Sequence, residues 1–396
     1  MSVISRILMG TPLYGETNLR IIFGITLVAI MGVSSITPAF PRIATDLEVT
    51  PEQVGLLITA FTLPGVFLTA VLGVLADRFG RRRILIPSLF LFAIAGTACT
   101  FARDFELLLV LRLFQGIGGA SLGSLNITII GDLYTGKERA AAMGYNASVL
   151  SIGTASYPVI GGALATFGWY YPFLLPLLAI PVGLLVIFRL NNPEPEQATE
   201  LGAYIERAWN SVKQQQVIGI FLLFIATFII LYGPYLSYLP FLIGNRFGGS
   251  AFLIGGIFSV GSFSTAITSA QLGKLSSRFN SRSLLRTSYV LYLISMLAMP
   301  LVPTLWALPI PVILFGTAQG LNIPTLQSLL AGYAPIEHRA AVMSLNGMVL
   351  RLGQTLGPVI MGGIYALAGL NATFFTGMGV SMIMMGVVWK VLSDDS

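Results

Sequence analysis

The chain of 396 residues is 55% hydrophobic and only 10% charged, and its formal net charge is +6. Charged side chains this scarce could not cover the surface of a water-exposed globule of this size. The composition therefore excludes a soluble protein and predicts an all-α integral membrane protein. The single cysteine excludes an internal disulfide and a thiolate metal cluster, and no metal-ligand set, Walker loop or nucleophile triad is present. We therefore expect neither an ATP-driven pump nor an enzyme, and no metal or cofactor.

Apolar runs of about 18 to 27 residues, long enough to cross a bilayer of about 30 Å, recur along the whole chain. They predict twelve transmembrane helices, six in each half of the chain. Both termini would then lie on the same side of the membrane. The predicted spans are 21–41, 52–75, 84–101, 107–131, 140–166, 170–189, 217–243, 251–276, 284–303, 305–331, 340–366 and 371–391.

The two halves of the chain repeat each other. Residues 139–163 and 339–363 are identical at 12 of 25 positions without a gap, at an offset of 200 residues. Residues 73–85 and 273–285 share a second set of identities at the same offset. Such a repeat in an apolar chain predicts two pseudo-symmetric six-helix bundles, the architecture of repeat-built transporters. The predicted domains are an N-terminal bundle at 1–190, a cytoplasmic linker at 191–216 and a C-terminal bundle at 217–396.

Lysine and arginine are unevenly distributed between the two sides. The termini and the even-numbered connections carry 17 of them, whereas the opposite side carries three, Arg42, Arg103 and Arg246. The positive-inside rule therefore predicts a multi-pass protein of the cytoplasmic (inner) membrane with both termini in the cytoplasm. The net positive charge reflects this rule, and nucleic-acid binding is not expected.

The connection between spans 2 and 3 reads GVLADRFGRRR over residues 73–83. It resembles the loop signature of the major facilitator superfamily, whose fold is also a two-fold repeat of six spans. Three further features extend the resemblance: the degenerate copy of the loop at 273–285, Arg112 with Gln115-Gly116 in span 4, and the glycine and proline pattern of span 5. The span 5 pattern is similar to that of the family's drug:proton antiporters, with Tyr157 in place of one glycine.

The same loop is expected to form an electrostatic gate. Gly73 would let span 2 approach a neighbour closely, and Asp77 would place a negative charge near a helix N-terminus. The family resemblance names that helix as span 11, and it pairs Arg81 with Asp132 at the end of span 4. Ser277 replaces the acid in the second half, so the gate would be asymmetric; the alternative is that the arginines only set the topology. The predicted gating residues are Gly73, Asp77, Arg78, Gly80, Arg81 and Asp132.

Spans 5 and 11 carry corresponding glycines and a proline. Small residues let helices pack closely in lipid, and proline removes a backbone donor and allows a bend. These residues are predicted to serve close packing between moving helices, and ordinary helix packing is the alternative. They are Gly153, Tyr157, Pro158, Gly161, Gly162, Gly353, Gly357 and Pro358.

All 16 aspartates and glutamates fall in loops or at helix ends, and the one histidine, His338, lies in a cytoplasmic loop. Proton-coupled transporters usually carry protons on intramembrane acids. Any proton coupling is therefore expected to use the interfacial acids Asp46, Asp77 or Asp132, or to arrive on the substrate itself.

Two arginines lie within the spans, Arg112 and Arg351, and each costs about 2.5 to 3.5 kcal/mol to insert near a helix centre. On a regular helix Arg112 shares a stripe with Gln115, Gly119 and Asn126, which is expected to face the central cavity. Arg351 shares a face with Gln354 and is predicted to bind an anion. The alternative is that Arg351 bonds to backbone carbonyls or snorkels to the interface.

Span 7 contains three tyrosines within seven residues and is broken by two prolines, Pro234 and Pro240. Aromatic rings with hydroxyls suit a large, partly apolar ligand, although an interfacial aromatic belt is the alternative. The predicted substrate-binding residues of the whole chain are Arg112, Gln115, Asn126, Tyr232, Tyr235, Tyr238, Gln319, Asn322, Arg351 and Gln354.

The leading prediction is a secondary active transporter that exports a drug-like or metabolite small molecule by alternating access, coupled to protons. The alternative is an organic-anion carrier, either a uniporter or a proton symporter, that uses Arg112 and Arg351. A third class, a non-transporting receptor or scaffold, would not need the gate residues that are present. The expected partners are a small-molecule substrate, protons and membrane lipid, and a monomer is expected.

Overall fold

The computed structural model describes residues 13–191, 214–333 and 339–391, and these residues form helices with short connections and no strands. Residues 192–213 of the predicted linker 191–216 lie outside the described residues. The division into domains at that linker therefore stays a prediction.

The first half contains six transmembrane helices, and three of them are irregular. One passes through a 3-10 turn at Thr37–Ala39, one is interrupted between Gly119 and Leu122, and one begins as a 3-10 helix at Tyr171–Leu178. The six are α1 (Thr17–Asp46), α2 (Pro51–Phe79), α3 (Arg81–Phe101), α4 (Phe105–Leu133), α5 (Gly136–Phe167) and α6 (Tyr171–Arg189).

The described part of the second half ends in one helical element of 53 residues, Arg339–Val391. Gly369 within it has φ 79° and ψ −175°, a conformation outside the helical region, and it divides the element into α11 (339–368) and α12 (370–391). The described residues thus contain eleven continuous apolar helices, of which the last supplies two crossings, in agreement with the twelve predicted spans. The others are α7 (Gln215–Arg246), α8 (Ala251–Ser276), α9 (Ser281–Leu301) and α10 (Leu305–Tyr333).

Local signals in the sequence set several helix ends. The backbone N–H of Thr50 donates to Gln53 Oε1 at 2.9 Å and begins α2 with a capping box. Asp104 caps α4 by accepting from the N–H of Leu107 at 2.8 Å. Gly80 has φ 100°, which only glycine adopts readily, and it permits the tight turn from α2 into α3.

The two-fold repeat extends to the packing within each bundle. In the N-terminal half Ser88 and Ser121 join α3 to α4 through their hydroxyls at 2.8 Å. In the C-terminal half Asn322 Nδ2 donates to Ser288 Oγ at 2.9 Å and joins α9 to α10. Ser88 and Ser288 stand 200 residues apart, so the sequence repeat is also a repeat of interhelical hydrogen bonds.

Two helix pairs hold the halves together, α2 against α11 and α5 against α8. Large apolar side chains on other faces of the helices are exposed; Phe67, Ile94 and Phe188 are examples. In a water-free bilayer such faces lie against lipid, whereas the small and polar residues concentrate between helices. The site between the halves is therefore built on α2, α5, α7, α8 and α11.

Candidate functional site

The halves pack backbone to backbone at one end of α5 and α8. A Cβ atom built on Gly255 would lie 2.7 Å from the carbonyl carbon of Pro158 and 3.0 Å from Val159 Cα. A Cβ atom on Gly162 would lie 3.0 Å from the carbonyl carbon of Ala251. Distances this short leave no room for a side chain. We call this end of the interface the closed end.

Side-chain hydroxyls of α8 strengthen the closed end. Ser262 Oγ donates to the carbonyl oxygen of Thr154 at 3.0 Å, and Ser259 Oγ donates to that of Ala155. Such bonds satisfy polar groups between helices where no water competes. The two halves are thus joined by hydrogen bonds as well as by close glycine packing.

At the opposite end the halves are apart. Cβ atoms built on Gly73, Gly144 and Gly273 would each meet no described atom within 4 Å. On α2 and α11, Thr69 Cγ2 lies 3.6 Å from the Cβ position of Gly347, an ordinary van der Waals distance. We call this the open end. The expected close approach of Gly73 to a neighbour stays a prediction, since its Cβ position meets no described atom within 4 Å and the side chains at 339–341 lie outside the described residues.

The predicted gate residues lie at the open end and form one ion network. Arg81, only 8% exposed, donates from Nη1 to Asp77 Oδ1 at 2.6 Å and from Nε to Asp132 Oδ2. Both carboxylates belong to the first half, so the network ties α2, α3 and α4 together. Gly80 supplies the turn that places Arg81 between them, and Arg78 stays exposed beside Phe79. The side chains at 339–341, where α11 begins, lie outside the described residues.

Arg112 does not face the cavity, which corrects the prediction from helical periodicity. The side chain is 0% exposed and packs inside the first bundle, 4.5 Å from the centre of the Phe61 ring. Its Nε donates to the carbonyl oxygen of Leu57 at 3.2 Å, and its Nη1 donates to Gln115 Oε1 at 2.7 Å. The cation is therefore held by dipoles and an aromatic ring, and Gln115 is buried with it.

Between Arg112 and Asn126, α4 passes through an irregular turn at Ala120 and Ser121, whose φ and ψ stay in the helical region. Asn126 instead lies 3% exposed between α1 and α5. Its Nδ2 donates to Thr26 Oγ1, and that hydroxyl lies 2.5 Å from Asn146 Oδ1. Asn126 thus joins three helices of one bundle and does not face an open cavity.

Asn322 has the same role in the second half and is also a correction. It is 0% exposed, accepts a hydrogen bond from Thr227 Oγ1 at 2.9 Å and donates to Ser288. Tyr289 extends this network, its hydroxyl 3.1 Å from Thr227 Oγ1. Buried amides with satisfied partners hold helices together and are not free to bind a substrate.

The three tyrosines of α7 have separate environments, because α7 is π-helical over Leu231–Tyr238. Tyr235 stacks on Phe315 with ring centres 3.9 Å apart inside the second bundle, so its predicted cavity position is wrong. Tyr238 is buried against Tyr365 at 5.4 Å. Tyr232 is half-buried, stacks on Phe228 and interacts electrostatically with Arg351.

Arg351 lies between the two halves. Its Cδ and Nε lie 3.0 Å from the Cβ position of Gly65 on α2, and its Nη1 donates to Gln354 Oε1 at 3.1 Å. The side chain is half-buried and has no acidic partner among the described residues. Gln319, on α10, is also half-buried. Of the predicted binding residues, Arg351, Gln354 and Tyr232 come together beside the interface between the halves, whereas Arg112 and Gln115 pair inside the first bundle.

The glycines and prolines of α5 and α11 lie close to neighbouring helices, each set against different partners. Gly353 and Gly357 lie on α7, where their Cβ positions are 2.8 Å from the Ile225 carbonyl oxygen and 2.9 Å from Gly233 N. The remaining residues of the set contact α1, α2 and α8. Gly153 lies against Leu27, Gly161 against Ser35, Gly162 against Ala251, Pro158 against Gly255, Pro358 against Gly55, and Tyr157 is buried beside Gly153.

A row of threonines lies next to Arg351 and was not predicted. Thr62 Oγ1 and Thr355 Oγ1 lie 2.9 Å apart across the two halves, and Thr59 Oγ1 donates to the Thr355 carbonyl oxygen at 3.3 Å. Thr59, Thr62 and Gly65 recur every three residues on α2, a spacing that marks a helix face of small residues. That spacing is the sequence signal from which this row could have been predicted.

The described residues contain no group of three or more histidine, cysteine, aspartate or glutamate side chains that could hold a metal ion. The site is thus a polar strip on α2, α7 and α11 within an apolar interface. A cation on this strip, with amide and hydroxyl neighbours, suits binding of a solute without covalent chemistry.

Comparison with known proteins places this architecture in a family. The Major Facilitator Superfamily profile matches residues 22–335 and also 247–396. The chain is 26% identical over 358 residues to the bacillibactin exporter of Bacillus subtilis (strain 168), covering 87% of this chain and 88% of that protein. It is 24% identical over 368 residues to multidrug resistance protein 1 of the same organism, covering 92% and 94%.

The fold agrees with a solved structure of the same kind. A crystal structure of a mutant of the nucleoside transporter NupG superposes with a TM-score of 0.81 at 14% identity, covering 96% of this chain and all of that one. At that identity the likeness shows the fold alone. Profile, relatives and fold together show that the chain belongs to the Major Facilitator Superfamily and is a multi-pass membrane transporter of small molecules rather than an enzyme.

Proposed function

We propose that the protein exports drug-like or metabolite small molecules by alternating access, coupled to protons. The observation that carries the proposal is the asymmetry of the interface between the halves. Gly162 and Gly255 bring backbone against backbone at the closed end, whereas the Cβ positions of Gly73, Gly144 and Gly273 at the open end meet no described neighbour. Rocking of the two bundles about the strip at Thr62, Thr355 and Arg351 would exchange the two ends.

The distribution of charged residues indicates which side of the membrane the open end faces. The connections at the open end carry most of the lysines and arginines, so the positive-inside rule makes this conformation the inward-open one, in the inner membrane. The exporter and multidrug names of the relatives favour loading from the cytoplasm. A monomer suffices, because both halves of the site belong to one chain.

The described acids at the open end are already paired. Asp77 and Asp132 share Arg81, and at the closed end Asp46 pairs with Arg42 at 3.7 Å. Protonation of Asp77 or Asp132 would weaken the pair with Arg81 and release α2, α3 and α4 from one another. These acids are therefore the residues through which we expect protons to act.

Transport in proteoliposomes tests the proposal. Purified protein is first screened by thermal shift against anionic, neutral and cationic compounds, since a ligand of the folded state raises its unfolding temperature. Compounds that stabilise the protein are then followed across the membrane with and without an imposed pH gradient. We expect accumulation that requires the gradient and is lost in the Asp77→Asn Asp132→Asn double variant. Accumulation that is independent of the gradient would refute proton coupling.

A second candidate function, an organic-anion carrier, is favoured by Arg351. Arg351 lacks an acidic partner among the described residues and its guanidinium reaches Gln354 and the opposite half at Gly65. A charge-assisted hydrogen bond contributes about 1.5 to 3 kcal/mol, so losing it weakens binding about 10- to 150-fold. Because Arg112 is fully buried, this function would depend on Arg351 alone.

The Arg351→Gln and Arg351→Lys variants distinguish the two functions. For an anion carrier, Arg351→Gln should weaken binding of a carboxylate substrate by about 10- to 150-fold and binding of its neutral amide analogue little. Arg351→Lys should restore part of the affinity, because the charge returns without the bidentate geometry. Equal losses for both ligands in titration calorimetry would exclude the anion carrier and leave the exporter.

A further inference from the structure

A carboxylate at the closed end has no partner among the described residues. Glu52 lies in the first turn of α2, and its Oε2 is buried without a hydrogen bond. Glu52 forms no ion pair with any described lysine or arginine; Arg42, the nearby cation of α1, is bonded to Asp46 and to the Ala165 carbonyl oxygen. A carboxylate oxygen that is buried without a partner is costly even where the rest of the side chain is partly exposed, so it points to a ligand.

A second unpartnered group faces it from the other half. Tyr238 of α7 is 0% exposed, and its hydroxyl also has no hydrogen bond to any described residue. The Cβ position of Gly362 lies 3.4 Å from both Glu52 Cβ and Tyr238 Oη, so those two atoms are within about 7 Å of each other. Glu52 also interacts electrostatically with Tyr365, which stacks on Tyr238. The carboxylate thus interacts electrostatically with the phenol groups of Tyr238 and Tyr365.

An apolar cleft of about 170 Å³ opens beside these groups, between the two halves. Glu52 and Leu56 line it from α2, and Pro358, Val359, Gly362 and Gly363 line it from α11. Gln53 also lines it, so the lining combines one negative charge and one amide with aliphatic side chains and glycines. Such a site suits a ligand with one positive charge and a small apolar body.

We infer that this cleft binds a small organic ammonium ion. The ammonium donates to Glu52 Oε2, and the apolar group lies against Leu56, Pro358 and Val359. The Tyr238 hydroxyl, buried behind Gly362, adds its dipole to the same charge. Both halves contact the ligand, so binding favours the conformation in which this end is closed. The cleft is separate from the strip at Arg351, and the ligand need not be a transported substrate.

Titration calorimetry in detergent tests the inference with benzylammonium as the probe and benzyl alcohol as its neutral counterpart. The wild-type protein should bind benzylammonium at least tenfold more tightly than benzyl alcohol, because the alcohol cannot form the charge-assisted bond. Glu52→Gln should weaken benzylammonium binding about tenfold and leave benzyl alcohol unchanged. Tyr238→Phe, which removes only the hydroxyl, should weaken it about threefold.

Glu48→Gln is the matched control, since Glu48 is an exposed acid in the same connection. It should bind benzylammonium as the wild type does. Unfolding temperatures without ligand identify any variant that fails to fold. If Glu52→Gln fails to fold, the affinity of Tyr238→Phe for benzylammonium provides the independent test. Equal binding of the two probes, an unchanged affinity in Glu52→Gln, or an equal loss in Glu48→Gln would each overturn the inference. Binding is measured without transport, so its failure leaves the proposed export untouched.

Discussion

Adding one methyl group at Gly255 should drive the transporter out of the conformation described above. The Cβ atom of Gly255→Ala would lie 2.7 Å from the carbonyl carbon of Pro158 and 3.0 Å from Val159 Cα. Ordinary carbon contacts begin near 3.5 Å, so the backbones of α5 and α8 must separate by nearly 1 Å. Both neighbours are backbone atoms, and neither can rotate away.

Overpacking of this kind costs about 1 to 3 kcal/mol. The cost arises only while the closed end is closed, so the equilibrium constant for closing it should fall about 5- to 150-fold. Gly256→Ala is the matched control, because the Cβ position of the adjacent glycine meets no described atom within 4 Å. It changes the same helix by the same methyl group without a clash.

Cysteine labelling at the open end measures the shift. Cys99 is the only cysteine and is fully buried, so a cysteine introduced at Gly144, which has open space around it, reports alone. With N-ethylmaleimide, the labelling rate of Gly144→Cys should fall in the Gly255→Ala background and stay unchanged in the Gly256→Ala background. Equal rates in both backgrounds, or a lowered unfolding temperature without a change in labelling, would refute the reasoning.

Two further predictions concern the ion network and the bundle core. Asp77→Asn should abolish most transport in proteoliposomes while expression stays normal, because Arg81 loses one of its carboxylates. Ser277→Ala should transport at the wild-type rate, because the Ser277 hydroxyl donates to the Lys274 carbonyl oxygen of the same helix. A severe defect in Ser277→Ala would contradict the asymmetry of the gate. Asn322→Ala should lower the free energy of unfolding in denaturant titration by about 2 to 4 kcal/mol, because a fully buried amide with two partners is lost. Affinity for substrates should persist. A loss of affinity without a loss of stability would show that Asn322 belongs to the binding site.

The sequence was sufficient for the features that depend on composition and on local order. The length of the apolar runs predicted twelve crossings, and the structure agrees, with the last two joined at Gly369. The 200-residue offset predicted two equivalent halves, and the Ser88 and Ser288 bonds show the repeat in the packing. The pairing of Arg81 with Asp132 came from the family resemblance, and the structure contains it.

The facing of single side chains was decided by tertiary structure. Helical periodicity directed Arg112 and Asn126 into the cavity, but packing within the first bundle buries both, Arg112 before the irregular turn at Ala120 and Ser121 and Asn126 after it. The π-helical turn of α7 similarly separates Tyr235 from Tyr232. Residues spaced at 100° per residue share one face only along a regular helix. Irregular turns depend on the side chains that pack around them, which helical periodicity does not include.

The sequence by itself therefore determined that the chain spans a membrane twelve times in two related halves, because hydrophobic length and repetition are properties of the chain alone. Only the tertiary structure decided which polar groups lie between the halves. Thr62, Thr355 and Arg351 meet there because α2 and α11 approach closely at Gly65, and Glu52 faces Tyr238 because Gly362 leaves room between them. Such meetings depend on distances between helices far apart in the chain, and those distances are set by the packing of small residues in lipid.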